Sequence, residues 1–194
     1  MLTVNRLSIR HFAVDNARAL SAATDLYDSM TKDDFLSREP DGTDLDCIIA
    51  TASINLSERQ VSELESLLVV DEHNLSARLK LLGYYFKFLG HRVNACKRQK
   101  HVIWMIDHRP ADFICGTPRL AWDGRLPDLQ QEALEHWLRQ VDLNPADPAI
   151  LGNAAYHVGF CDLSLAESLY QRAAVLQPDN EHWRHQLAWI ETMK

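Results

Sequence analysis

Residues 147–178, DPAILGNAAYHVGFCDLSLAESLYQRAAVLQP, decide how the rest of the chain is read. Asp147 and Pro148 form a helix start: an N-cap side chain, then a proline at the first helical position, where its missing N–H is no loss. A tight turn and a second helix follow, and Pro178 ends the unit. Small residues fall where two helices must touch: Ala154 on the first helix, Ala166 and Ala173 on the second, with Tyr170 between the last two. Such spacing belongs to a helix-turn-helix repeat of about 34 residues.

Working outward, the pattern continues on both sides. Downstream, Asp179 or Asn180 caps a last helix, EHWRHQLAWIETM, with Trp183, Leu187 and Ile190 inward and Arg184, Glu191 and Lys194 polar. A solitary final helix is what a helical repeat array uses to cover its end. Upstream, Asp128 is the expected cap of LQQEALEHWLRQVDL, in which Ala133 and Trp137 take second-helix places before Asn144-Pro145. Residues 110–127 are interrupted by Gly116-Thr117-Pro118 and Asp123-Gly124 and leave room for a single turn at Ala111–Cys115. The strongest period lies in LSARLKLLGYYFKFLG, residues 75–90, where Leu75, Leu79, Leu82, Phe86 and Leu89 recur at helical spacing. Asn74 caps it and Gly90 stands in the C′ place. Gly83, mid-helix, costs up to about 1 kcal/mol against alanine. A close crossing by the next helix, residues 92–107, would explain it. That next helix turns Val93, Cys96, Ile103 and Ile106 inward. Ser57 and Gln60 have capping-box spacing and open a helix whose apolar face is Val61, Leu64, Leu67 and Leu68. Ile48–Ile54 reads as a short strand or a helix end, and Pro40-Asp41-Gly42 as a turn. Asp15–Met30 reads as a helix, and residues 1–14 have no clear period. The expected organisation is an N-terminal extension over 1–56, partly helical with an acidic loop, and a helical domain over 57–194.

Ala154, Ala166, Tyr170, Ala173 and Pro178 together resemble a tetratricopeptide repeat (TPR), and fit five places of its pattern. Ile150 and His157 depart from it, standing in the Trp and Tyr places. Gly83 and Ala95 repeat the 12-residue spacing less well, since Gln99 replaces an aromatic and Pro110 comes late. The resemblance implies an all-α fold of antiparallel helix pairs in a short right-handed superhelix. It also implies a non-enzymatic module that binds a peptide or partner protein through its concave face. The contact places of that family fall here on Lys80, Tyr84 and Lys87, on Leu151, Ala155 and Val158, and on His182, His185 and Trp189. These give a face that is basic-aromatic at one end, apolar in the middle and His/Trp at the other, suited to acidic and apolar side chains. The carboxylate-clamp side chains of chaperone-type members are absent, because Leu151 and Ala155 stand there. The bland alternative is that Tyr84 and Trp189 are core and that N-terminal helices fill the groove.

Composition narrows the other classes. Of 194 residues 46% are apolar, and the net charge of −7 is segregated: −10 over residues 15–72, +7 over 73–110 and −6 over 111–194. Either the basic stretch is a binding surface or the acidic N-terminal part packs across it. A nucleic-acid interface over residues 80–100, from Lys87, Arg92, Lys97, Arg98 and Lys100 with Tyr84, Tyr85 and Phe88, is the second reading, disfavoured by the acidic total. An enzyme with an unrecognised site is the third. No phosphate loop, nucleophile motif or zinc motif is present, and no cofactor is implied. His182 and His185 could share a helix face but lack a third metal ligand. His101 and His108 read as solvated or hydrogen-bonded. No apolar run has signal-peptide or membrane-helix length, and four dispersed cysteines read as reduced, buried thiols, so the expected compartment is the cytoplasm. A degenerate array can also form a homodimer through its exposed end.

Overall fold

The computed structural model describes residues 43–88, 91–120 and 126–193. The helix expected at 15–30, the turn at 40–42 and Gly90 lie outside them. The described residues form eight α-helices and no strand. The helices are α1 (Thr43–Ala52), α2 (Glu58–Val70), α3 (Leu75–Phe86), α4 (Arg92–His108), α5 (Pro127–Leu143), α6 (Pro148–Val158), α7 (Leu163–Leu176) and α8 (Glu181–Met193). Single 3₁₀ turns occupy Ser53–Asn55 and Phe113–Gly116.

Local chemistry sets most helix starts. The Ser57–Gln60 capping box closes reciprocally on α2. Asn74 accepts the Ala77 N–H at 3.0 Å on α3. Asp147 accepts from Ala149 and Ile150 at 2.9 and 3.2 Å on α6, with Pro148 at the first helical position. Asn180, rather than Asp179, caps α8 by accepting the His182 N–H at 3.0 Å. Asp128 does not cap α5. That helix begins one residue earlier at Pro127, and the Asp128 carboxylate turns instead to Arg92, 2.5 Å away on α4. The stretch 48–54 is a helix end running into a 3₁₀ turn, not a strand. The third helix stops at Phe86, short of the expected end.

Packing runs along the chain: α2, α3 and α4 adjoin in turn, α4 packs on α5, α5 on α6, α6 most extensively on α7, and α7 on α8. The first helix lies across α3 and the Phe113–Gly116 turn. A Cβ on Gly83 would land on the carbonyl oxygen of Ala50. The crossing that requires this glycine is therefore made by α1, upstream, and not by α4. Ala50 is 1% exposed and belongs to the main core with Trp137, Met105, Ile106, Leu151 and Ile190, so α1 shares the core of the helices after it. A second cluster joins α2 to α3 through Val61, Leu81, Tyr84 and Tyr85.

The inward face of α4 differs from expectation. Val93 is 63% exposed, while Arg98, Gln99 and His101 are buried. His101 faces the Arg78 guanidinium, while Arg98 and Gln99 reach carbonyls on irregular or terminal backbone. Arg98 donates to the Arg119 carbonyl, and Gln99 donates to the Leu129 carbonyl at 2.8 Å. Burying the Arg98 and Gln99 side chains is tolerable because each donates to a backbone carbonyl. His157 does the same for the 3₁₀ turn: its Nε2–H donates to the Cys115 carbonyl at 2.6 Å while its ring stacks on Trp137. Burial pushes the His157 pKa down to about 4, so the imidazole is neutral near pH 7.

Candidate functional site

A groove opens between α6 and α8. It consists of two adjoining basins of about 520 and 430 Å³ that share Tyr156, Tyr170 and Gln186. The α6 side is Ala149, Gly152, Asn153 and Tyr156, and α8 contributes His182, Trp183, Gln186, Trp189 and Ile190. Phe113 and Gly116 of the 3₁₀ turn close one end, and Gly159 and Phe160, after α6, close the other. Tyr170 of α7 is the wall common to both basins.

Sequence positions each wall. Pro178 follows α7, Asn180 caps α8, and the Trp183 indole N–H donates to the Gln177 carboxamide at 3.2 Å, which fixes the entry angle of α8. A Cβ at residue 152 would meet the Trp183 ring, so Gly152 lets that indole lie directly against α6. Asn153 donates to the carbonyls of Pro110 and Asp112 at 2.9 and 3.0 Å and so anchors the turn that carries Phe113. Tyr156 and Phe160 meet edge to face, 5.4 Å between centroids. Phe113, Phe160 and Trp189 are 49, 56 and 48% exposed, an unusual amount of aromatic surface around one depression.

The groove is nearly without charge. No Asp, Glu, Lys or Arg lines either basin. Burial raises the pKa of the Tyr156 and Tyr170 phenols, which stay neutral, and it lowers that of His182, helped by His185 nearby. The chemistry on offer is ring stacking, apolar contact and neutral hydrogen bonding.

The residues expected at a concave face divide into three groups. His182 and Trp189 line or rim the groove, and His185 is exposed beside it. Leu151, Ala155 and Val158 are fully buried; Ala155 backs one basin and the other two belong to the core. Tyr84 is 8% exposed under α2, Lys80 is half-buried, and Lys87 is exposed with its ammonium over the Tyr84 and Phe88 rings at 4.1 and 5.0 Å. The basic-aromatic end is thus covered at Tyr84 by α2, whereas Trp189, which the filled-groove alternative also placed in the core, is 48% exposed. Sequence reasoning missed Phe113, Tyr156 and Phe160. The available signal was an aromatic pair four residues apart, Tyr156 and Phe160, running into a turn.

The basic stretch is largely engaged. Arg92 pairs with Asp128, Lys97 lies 3.7 Å from Glu65 of α2, Arg78 donates to the Glu72 carbonyl at 3.0 Å, and Arg98 is 4% exposed. Tyr85 also donates its hydroxyl to Glu65. Of the two histidines of α4, His101 is buried against Tyr85 and Arg78, its pKa pushed down to about 3 by burial and then by that guanidinium. His108 is exposed and bonded through Nδ1 to the Trp104 carbonyl at 2.9 Å. Among the described residues no group of three or more His, Cys, Asp or Glu side chains could hold a metal, and no helix is long and apolar enough to cross a membrane. Cys115 is fully buried and its thiol pKa is raised by burial, which leaves it protonated and poorly nucleophilic.

No protein family, no curated protein and no solved structure matches the chain.

Proposed function

We propose that this protein is a non-enzymatic interaction module, a short TPR-like array whose inner face at the α6–α8 groove holds an apolar segment of a partner protein. The observation that carries this is the groove itself: an uncharged, aromatic-walled depression ringed by three half-exposed aromatic residues. The array reading is supported by Ala154, Ala166 and Ala173, each with no exposure, where α6 and α7 touch, and by the packing of α8 on α7. The non-enzymatic reading is supported by the burial of Cys115 and His157, a thiol and an imidazole sequestered in the core. The cytoplasm remains the proposed compartment, on four cysteines that form no disulfide.

The test is affinity capture from the source lysate with wild type beside a Phe113→Ala/Trp189→Ala variant. Both side chains are half-exposed, so the variant should keep its helicity and melting temperature. A protein retained by wild type and lost by the folded variant is the expected outcome. Identical capture by both would overturn the groove as the partner site. Nucleic-acid binding by residues 80–100 is the weaker reading, because Arg92, Lys97 and Arg98 are already engaged. Binding that steepens at low salt and vanishes when Lys87, Lys97 and Lys100 are replaced together would revive it.

A further inference from the structure

We propose that the occupant of the α6–α8 groove is an uncharged, proline-rich segment in the polyproline II conformation; this rests on the groove being the partner site. The first argument is electrostatic. An acidic or basic segment would lose its hydration against walls that hold no Asp, Glu, Lys or Arg, with no ion pair in return. The acidic ligand suggested by the sequence reading therefore has no counter-charge here.

The second argument concerns hydrogen bonds. Tyr170 is 2% exposed, yet its side chain lines both basins and its hydroxyl makes no hydrogen bond among the described residues. The Tyr156 hydroxyl, the Gln186 carboxamide and the Trp189 indole N–H are likewise without a hydrogen-bond partner among the described residues, and all line the same groove. None of these groups is sealed from solvent, so each stays open to the groove and available to an acceptor placed there. An α-helical occupant brings a backbone already satisfied internally and offers these donors little. A polyproline II segment has no internal hydrogen bonds, so its carbonyls need donors, and each proline lacks the N–H that would need an acceptor. Donors on the wall and bare carbonyls on the ligand are complementary.

The third argument is shape and entropy. Polyproline II has three residues per turn, so one edge presents a ridge at every third residue. Two adjoining basins divided at Tyr156 and Gln186 accept two such ridges, with rings to stack on the pyrrolidines. The segment is stiff before binding and loses little freedom on docking.

The experiment uses the full chain and three capped, uncharged peptides of about ten residues. One is proline with leucine at every third place, one replaces each proline by glycine, and one is an amphipathic helix former of equal apolar content. Binding is read by intrinsic fluorescence and by the Trp189 indole N–H resonance. Saturable binding of the proline peptide is expected, with that resonance shifted and with affinity lowered roughly tenfold or more for the glycine peptide. Tyr170→Phe and Tyr156→Phe, which delete only hydroxyls, should each weaken the proline peptide while leaving the melting temperature unchanged. Preference for the helical peptide at the same resonance would overturn the proline proposal and leave the groove intact. Loss of a lysate partner in Phe113→Ala/Trp189→Ala with no proline-peptide binding up to about 1 mM would do the same. No shift with any peptide and no groove-dependent partner would overturn both.

Discussion

At Asp46, burial and charge act on a single carboxyl group. The side chain sits on α1 where that helix meets the Phe113–Gly116 turn, and burial, then the neighbouring Asp112, raise its pKa to about 6, against the pull of Arg109. Arg109 is already bound to Asp112 at 2.7 Å, which limits what it gives Asp46. A carboxyl whose folded pKa lies above its unfolded value holds its proton more tightly when folded. Folding therefore gains from protonation at low pH, and the gain is lost as pH rises from about 4 through 6. Two pKa units correspond to about 3 kcal/mol. Asp46 is nearly half solvated, so about 1 kcal/mol is the sensible size after screening. Asp46→Asn should match wild type near pH 4 and exceed it by about 1 kcal/mol at pH 7.5, read from urea midpoints. A wild-type-to-variant difference that is flat across this range would show that Asp46 is ordinary. Neither Asp112 nor Arg109 is near Asp46 in sequence, so this environment was invisible before the fold.

At the scale of elements, what was legible was local. Caps at Ser57, Asn74 and Asp147 satisfy N–H groups two or three residues away, and the small residues Ala154, Ala166 and Ala173 mark one helix face. What was illegible depended on distant acceptors: Arg98 finds its carbonyl 21 residues on and Gln99 finds one 30 residues on. The groove was legible on α8, at His182 and Trp189, and misread on α6. There the expected contacts Leu151 and Val158 give way to Gly152 and Gly159, each one place later, and Ala155 backs a basin beside Tyr156. One residue is about 100° of helix rotation. The face bearing Leu151, Ala154, Ala155 and Val158 is taken up by the core, which turns the next face outward. The α1–α3 crossing is the element sequence reading placed least well, because α1 is short and was read as strand or helix end. It also makes the sharpest test. Gly83→Ala should gain up to about 1 kcal/mol of helix propensity. It should lose more, about 1–3 kcal/mol, because the added methyl meets the Ala50 backbone, which cannot rotate aside. Net destabilisation in urea is expected. A more stable variant would mean that α1 does not cross there.

At the scale of the whole molecule, the question is whether this stack unfolds helix by helix. A linear array in which each unit touches only its neighbours frays from its ends. Here the Phe113–Gly116 turn breaks that linearity, since it packs on α6 and also on α1, an element far earlier in the chain. His157 of α6 bonds that same turn, Asn153 bonds the backbone leading into it, and one apolar cluster runs from Ala50 in α1 to Ile190 in α8. A core closed in this way couples the first described helix to the last. Ile190 is fully buried, so Ile190→Ala should cost about 2–5 kcal/mol. If the stack is cooperative, that cost appears as a lower urea midpoint with unchanged slope, and far-UV helicity and tryptophan fluorescence still move together. If α8 is an independent end unit, the variant instead shows two transitions: an early fluorescence change as Trp183 and Trp189 leave the groove, then the main loss of helix. The bridge made by the 3₁₀ turn argues for the first outcome. Adding Asn153→Ala, which removes one of the two side-chain anchors of this turn on α6, should move the protein toward the second.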